Sequence, residues 1–278
     1  VKQSLKKSIK YKKIKEVIVS NRNLRFKLIR NFEKILRDKL IIDVSRISKY
    51  IIIHLESKMY CIIHLGMSGT IHLIKKSNKK KITNLSFYQS KTLPEKHNHI
   101  QIIFLKFKIV YNDPRRFGFF KLINNKQSLD LYFKKHGPEP FSKEFNFNYL
   151  KNNLTNKKKN IKNLLLDQNF VSGIGNIYAN EILFYSRINP EKYGYEIKEK
   201  HIRKIVKFSK IVLKLAIKYG GSSIRDFKNM KGSSGSFQKE FKVYGREGKK
   251  CPRNNCKSKI LKIFQNNRST YFCKLCQK

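Results

Sequence analysis

The sequence predicts an α+β chain of several domains: a β-rich N-terminal part with a short flanking helix, a helical middle, and a small four-cysteine zinc ribbon at the C-terminus. Three observations predict it. From Lys13 to about Leu122 apolar residues fall in short runs broken by polar or Gly turns, as strands do. From Phe145 onward the apolar spacing changes to three and four, as in helices. Four of the five cysteines then stand in two close pairs within the last 28 residues.

In chain order, Val1–Lys12 reads as a helix. Runs such as Val17-Ile18-Val19, Tyr50 to Leu55, Tyr60 to Leu65 and His99 to Phe104 read as strands of a sandwich or barrel. These make an N-terminal domain over 1–123. Residues 124–144 mix polar residues with the breaker cluster Gly137-Pro138-Glu139-Pro140 and read as a linker. A helical domain over 145–236 follows, with helices expected in Phe145 to Leu166, Asn176 to Ser186 and Ile197 to Tyr219. Gly220-Gly221-Ser222-Ser223 ends the last helix, and Gly232 to Ser236 reads as a flexible loop before a ribbon over 237–278.

The ribbon rests on Cys251-x4-Cys256 and Cys273-x2-Cys276, with a basic, hairpin-length stretch between the pairs. Two pairs that each grip one side of an ion predict a single structural Zn2+ held by four thiolates. Four intervening residues in the first pair are looser than the usual two and still allow tetrahedral ligation. Two disulfides in a secreted module would leave Cys61 over, and nothing in the opening residues resembles a signal peptide, so the zinc reading is preferred.

Lys+Arg number 63 against 18 Asp+Glu, a formal charge of +45, and no apolar run reaches the roughly 20 residues of a membrane span. A polyanion, nucleic acid above all, is the natural partner. The chain also holds two alanines, Ala179 and Ala216, and no Trp. Drift toward AT-rich codons leaves such a composition, so the charge supports a nucleic-acid reading and the motifs decide it.

Three Gly-framed turns and one pair of histidines carry chemistry. His64-Leu65-Gly66-Met67-Ser68-Gly69 offers an unbranched apolar wedge in Met67, a residue type more often found in a core. Asn112-Asp113-Pro114-Arg115-Arg116-Phe117-Gly118 holds guanidinium groups beside a ring, a pairing that enters a base stack, although a solvent-facing turn is the commoner fate of two arginines. Gly173-Ile174-Gly175-Asn176 sets glycines before a helix start, where backbone N–H groups meet phosphate; alone it is equally a tight turn between packed helices. His97 and His99, if extended, share a face; lacking a third ligand they fit a phosphate contact from His97 better than a metal.

In this order, together with Leu93-Pro94-Glu95-Lys96-His97, His136-Gly137-Pro138-Glu139-Pro140, Tyr219-Gly220-Gly221, Val243 to Gly248 and Arg268 to Cys273, the turns and the cysteine ribbon resemble bacterial formamidopyrimidine-DNA glycosylases over nearly the whole chain. Asp113 to Gly118 favours this family over its endonuclease VIII relatives. The resemblance implies an N-terminal β-sandwich, a helix-two-turns-helix domain and the zinc ribbon. It also implies an enzyme that flips oxidised purines such as 8-oxoguanine from duplex DNA, cuts the glycosidic bond and breaks the strand by β,δ-elimination.

Residue by residue, the resemblance implies that Met67, Arg115 and Phe117 fill the gap left by the flipped nucleotide, with Arg115 facing the orphaned cytosine. His97, Lys157 and Asn176 would hold phosphates, and the loop from Gly220 to about Phe237 would close over the base. Lys49 would serve proton transfer in β-elimination and Arg268 the final δ-elimination. The expected partner is double-stranded DNA carrying an oxidised purine or an abasic site. The protein is expected to be a monomer without membrane association, acting in the bacterial cytoplasm on nucleoid DNA.

The sequence departs from the family pattern at the front, where a Pro-Glu opening supplies the nucleophilic amine and the acid; here the first residue is Val1. The favoured expectation is that upstream codons supply that opening. The alternative is a catalytically impaired protein that binds lesions without cutting. An RNA-associated zinc-ribbon protein is a third reading, which leaves the Asp113–Gly118 turn unexplained.

Overall fold

The structure is a computed structural model that describes residues 1–75, 94–221 and 237–278. It separates into two compact units, the first over Val1–Lys134 and the second over Lys135–Gly221 with the described residues from 237 onward. Leu93 and the expected Gly232–Ser236 loop lie outside the described residues, as does the base-covering loop apart from Gly220, Gly221 and Phe237.

The first unit opens with helix α1 (Lys2–Ile9), which turns Leu5 and Ile9 into the core. Strand β1 (Glu16–Val19) and the short helix α2 (Phe32–Leu36) follow. Next come β2 (Ile41–Ile47), β3 (Tyr50–Leu55), β4 (Tyr60–His64), β5 (Thr70–Lys75), β6 (Asn98–Ile103), β7 (Phe107–Asn112) and β8 (Phe119–Ile123). They form two antiparallel sheets of four strands, ordered β1-β6-β7-β5 and β2-β3-β4-β8. Ile51, Ile53 and Ile63 of one sheet share a buried cluster with Ile100, Ile102 and Ile109 of the other, which is the interior of a sandwich.

The near-continuous apolar runs of β3 and β4 have a second cause. Helix α3 (Lys126–Phe133) lays Leu129 and Phe133 against Ile52, Tyr60 and Ile62, so these strands are buried on both faces. This helix falls within the stretch read as a linker. Asn125 caps it by accepting from the Ser128 N–H at 2.7 Å. The rest of that stretch belongs to the second unit: the Gly137 N–H donates to Gln168 O and the Ser172 N–H to Pro138 O.

In the second unit, α4 (Phe147–Leu154), α5 (Ile161–Leu166), α6 (Asn176–Ser186) and α7 (Glu199–Lys218) form where the periodicity predicts helices. Helix α6 buries seven of its eleven residues and is the unit's central element. The ribbon's hairpin pairs β9 (Leu261–Gln265) with β10 (Arg268–Phe272). Asn266 and Asn267 both take positive φ at its turn, the conformation a two-residue hairpin favours and asparagine tolerates.

Candidate nucleic-acid interface and metal centre

In the first unit the pairing register brings three separated segments to one end of a sheet. Tyr50 pairs with His64 and His64 with Phe119. Lys49 immediately precedes the first of these, Met67 follows the second by three residues, and Phe117 precedes the third by two. The three turns therefore leave the sheet side by side. Lys49 is exposed on the β2–β3 turn, beside buried Ser48 at φ 53.

The Met67 turn and the Arg115–Phe117 turn are packed backbone against backbone. A Cβ at Gly66 would meet the Gly118 nitrogen and the Phe117 carbonyl carbon at 2.6 Å, and one at Gly118 would meet His64 O at 2.5 Å. Glycine is required where the chains approach so closely, and Gly66 also takes φ 67. Met67 is 58% exposed and Phe117 43%, so both apolar side chains stand outward; a methionine more often assigned to a core is here on the surface. The Arg115 guanidinium lies 4.5 Å from the Phe117 ring centroid.

A fully buried carboxylate holds this arrangement. Asp113 Oδ1 accepts from the Ser68 hydroxyl, and Oδ2 accepts from the Tyr111 hydroxyl at 2.7 Å and the Gly118 N–H at 2.9 Å. Burial, then Asp113, push the Tyr111 phenol well above its ordinary value, so it stays a donor. The Asp113 N–H donates to His97 O at 3.0 Å, which ties the half-buried His97 to the same loop. His99 faces inward with Nε2 2.7 Å from Asp113 O, and Glu95–His97 is a 3-10 turn, not the extended stretch that would set both imidazoles on one face. Burial, then Lys49 and Arg25, lower the His64 imidazole to about 4, so a neutral ring stacks on Phe119 at 5.6 Å.

The second unit offers a different anion-binding element. Helix α6 begins directly after Gly173 and Gly175, and at both glycines the space a Cβ would occupy is open. A phosphate can approach the first-turn N–H groups there, where the helix end is partially positive. Lys157 is exposed on the turn between α4 and α5, with its N–H donating to Leu154 O. Asn176 faces inward: its Nδ2 donates to Ser269 O at 3.0 Å and so grips the hairpin next to exposed Arg268.

Two further groups grip the same strand, and the sequence analysis missed both. Lys162 is fully buried, and its ammonium donates to Ser269 O at 3.1 Å and Thr270 Oγ1 at 2.5 Å. Burial, then Arg268, lower its pKa to about 8. Asn180 Oδ1 accepts from the Tyr271 N–H at 2.6 Å. A lysine between Ile161 and Asn163 reads as solvated in a chain this basic, and no local pattern marks it otherwise. Glu181 accepts from three successive N–H groups, Lys242 to Tyr244, and fixes the chain that enters the ribbon.

At the ribbon's other end the four predicted ligands converge. The sulfurs of Cys251, Cys256, Cys273 and Cys276 all lie within 4.8 Å of one another, with Cys251 to Cys276 at 3.8 Å and Cys256 to Cys273 at 3.7 Å. Tetrahedral bonds of about 2.3 Å to zinc place sulfurs about 3.8 Å apart, so the quartet fits the ion. Cys61 lies apart in β4, where burial pushes its thiol up to about 12.

Three family models match the chain. The formamidopyrimidine-DNA glycosylase N-terminal domain matches residues 1–120, the H2TH domain of the same glycosylases residues 136–228, and a zinc finger found in FPG and IleRS residues 248–278. The formamidopyrimidine-DNA glycosylase of Wolbachia pipientis subsp. Culex pipiens (strain wPip) is 39% identical over 270 residues, 97% of this chain and 93% of that protein. That of Rickettsia africae (strain ESF-5) is 38% identical over 280 residues, 99% and 97% of the two chains. Among solved structures, Lactococcus lactis Fpg in complex with an abasic site containing DNA superposes with a TM-score of 0.87 at 33% identity, covering 100% of this chain and 96% of that one. A complex of the same protein with Fapy-dG containing DNA gives a TM-score of 0.86 at 33% identity, covering 100% and 97% of the two chains. The four-cysteine cluster is accordingly a structural zinc centre.

Proposed function

The chain belongs to the formamidopyrimidine-DNA glycosylase family, and from that premise we propose that it removes oxidised purines, 8-oxoguanine and formamidopyrimidines, from duplex DNA by base flipping and then cleaves the abasic strand. The enzyme is a DNA glycosylase; flipping and lyase steps are the finer part of the reading. The observation that carries it is the joint presentation of Met67, Arg115 and Phe117 on two turns tied through Asp113.

Extruding a nucleoside costs a few kcal/mol of unstacking and unpairing. A wedge, a cation and a ring offset that cost by refilling the stack, with the Arg115 guanidinium donating to the orphaned cytosine. The α6 N-terminus and Lys157 hold flanking phosphates, with His97 adding a contact from the first unit, and Asn176 contributes by fixing the hairpin as well as by its place at the helix start. Bond cleavage proceeds by attack of an amine on C1′ as the glycosidic bond breaks and the base leaves with a proton; the C1′–O4′ bond then opens, O4′ taking a proton, which leaves an iminium. Loss of a C2′ proton then expels the 3′ phosphate, and a second elimination expels the 5′ phosphate. Lys49 is assigned to proton transfer in the first elimination and Arg268 to the second. The Pro-Glu pair that supplies amine and acid in the family is not among these 278 residues. The full-length match to glycosylases supports an enzyme over a lesion-binding protein without catalysis. We assign it to the bacterial cytoplasm as a monomer; no helix among the described residues is long and apolar enough to cross a membrane.

The protein expressed from its full reading frame and incubated with an 8-oxoguanine·cytosine duplex should yield a nicked strand and a borohydride-trapped covalent adduct. Absence of both would overturn the assignment.

A further inference from the structure

A groove of about 980 Å³ opens in the second unit between the start of α7, the chain after α6 and the metal end of the ribbon. Arg187, Lys192, Lys198, Lys200, Lys204 and Arg253 line it, and among the described residues no aspartate or glutamate does. The first five make no side-chain hydrogen bond or ion pair among the described residues, whereas nearby Glu199 is engaged by Lys151, outside the groove. The His201 imidazole, on the same wall, is held below its ordinary value by burial and then by nearby Lys192, Lys200, Lys204 and Lys198. Arg187 takes φ 60 where α6 ends, in a left-handed turn that carries the chain to Lys192.

The groove lies away from two of the elements assigned to the lesion strand, the start of α6 and the Arg268 turn, while the Lys157 turn pairs through its backbone with the 192–195 segment next to groove residue Lys192. Asn176 begins α6 and Arg187 follows its last residue, eleven residues of helix or about 16 Å apart. Likewise Arg268 stands at the hairpin turn, whereas the groove is bounded by Cys256 and Cys276 at the opposite end of the ribbon. Net charge alone does not single out the place, because a chain of +45 has basic surface everywhere. Concavity, the lack of any facing carboxylate among the described residues and unpaired lysines near one histidine do. From Lys198 to Lys204 the row of cations runs six helical residues, about 9 Å. With one phosphate per about 3.4 Å of axis on each strand, that length spans two to three phosphates and suits a backbone better than a single small anion.

We propose that this groove is a second nucleic-acid site, which takes the phosphate backbone of a DNA segment other than the one carrying the lesion. It reads no sequence, and it lets one molecule bridge two duplex segments. The inference goes beyond lesion processing, and the two fail separately: strand cutting reports on one and the ternary complex on the other.

The test saturates the full-length protein with a short duplex containing an abasic-site analogue and then titrates a labelled undamaged duplex, followed by sedimentation. A complex of one protein with two duplexes should form, with affinity falling steeply as salt rises. In Lys198→Glu/Lys200→Glu/Lys204→Glu the second duplex should bind at least about tenfold more weakly and with a salt slope smaller by about two to three. Binding of the first duplex and cutting of 8-oxoguanine should stay within about twofold, and the Lys→Gln version of the triple variant with unchanged zinc content guards against misfolding. A strict one-to-one complex, second-duplex binding unaffected by both variants, or equal displacement by inorganic pyrophosphate at matched phosphate concentration would each overturn the proposal.

Discussion

The hydroxyl of Ser68 donates to the carboxylate of Asp113, 45 residues further along the chain, and both groups are buried. That one bond joins the turn that presents Met67 to the turn that presents Arg115 and Phe117. Because Asp113 also receives the Tyr111 hydroxyl and the Gly118 N–H, its removal leaves several donors unsatisfied in the interior. Asp113→Ala should cost about 3 kcal/mol of stability in the first unit, and Ser68→Ala about 1 kcal/mol, in thermal or denaturant melts. Affinity for lesion-containing duplex, read by fluorescence anisotropy, should fall with both.

Gly66→Ala introduces a methyl group at 2.6 Å from the backbone of the neighbouring turn, at a φ of 67. Neither backbone can move without separating the two turns. Overpacking and a left-handed backbone together predict a loss of about 2 kcal/mol or more. Lesion-duplex affinity should fall while zinc content stays at one equivalent, a combination that places the defect in the first unit.

Much of this was legible in the sequence. Strand runs, helical periods and the two cysteine pairs are local signals, and each corresponds to an observed element. Met67, Arg115 and Phe117 were recognisable as a wedge, a cation and a ring on Gly-framed turns, each with an ordinary reading beside it until the ordered motifs were taken together. Their convergence was implied by the family resemblance alone, since no local signal carries the non-local register Tyr50 to His64 to Phe119 that produces it. Helix α3 was missed although Asn125 and the Leu129/Phe133 spacing mark it, because the Gly-Pro cluster a few residues later dominates the segment. Lys162 carries no local mark at all: only the folded hairpin supplies the carbonyl and hydroxyl that make a buried ammonium tolerable.

Lys162 also gives a pH signature. Its folded pKa of about 8 lies below the ordinary lysine value near 10.4. Below pH 8 both folded and unfolded states carry the proton, and the cost of burying the charge is constant. Between about 8 and 10.4 the unfolded state binds more protons, so this group makes stability rise with pH, and above that range its contribution is level. Lys162→Met should lack this rise. Denaturant melts of the two proteins at pH 7.5 and 9.5 measure the difference, and identical pH dependence would count against a charged buried lysine.

Cys273→Ala removes one of four thiolates whose sulfurs already stand at zinc-bonding separations. Ligation supplies most of the folding free energy of so small a module. The variant should release the metal, measured by chelator absorbance, and loosen the hairpin that carries Arg268. Melting of the first unit should not change.

The central claim is that Met67, Arg115 and Phe117 act together to replace an extruded nucleoside in the stack, and single-turnover cutting of an 8-oxoguanine·cytosine duplex by the full-length Met67→Ala/Arg115→Ala/Phe117→Ala protein tests it most directly. The account predicts a fall of about a hundredfold or more, with a smaller loss on a duplex that already contains an abasic site, where unpairing costs less. A rate within about twofold of the unaltered protein on the 8-oxoguanine duplex would contradict it.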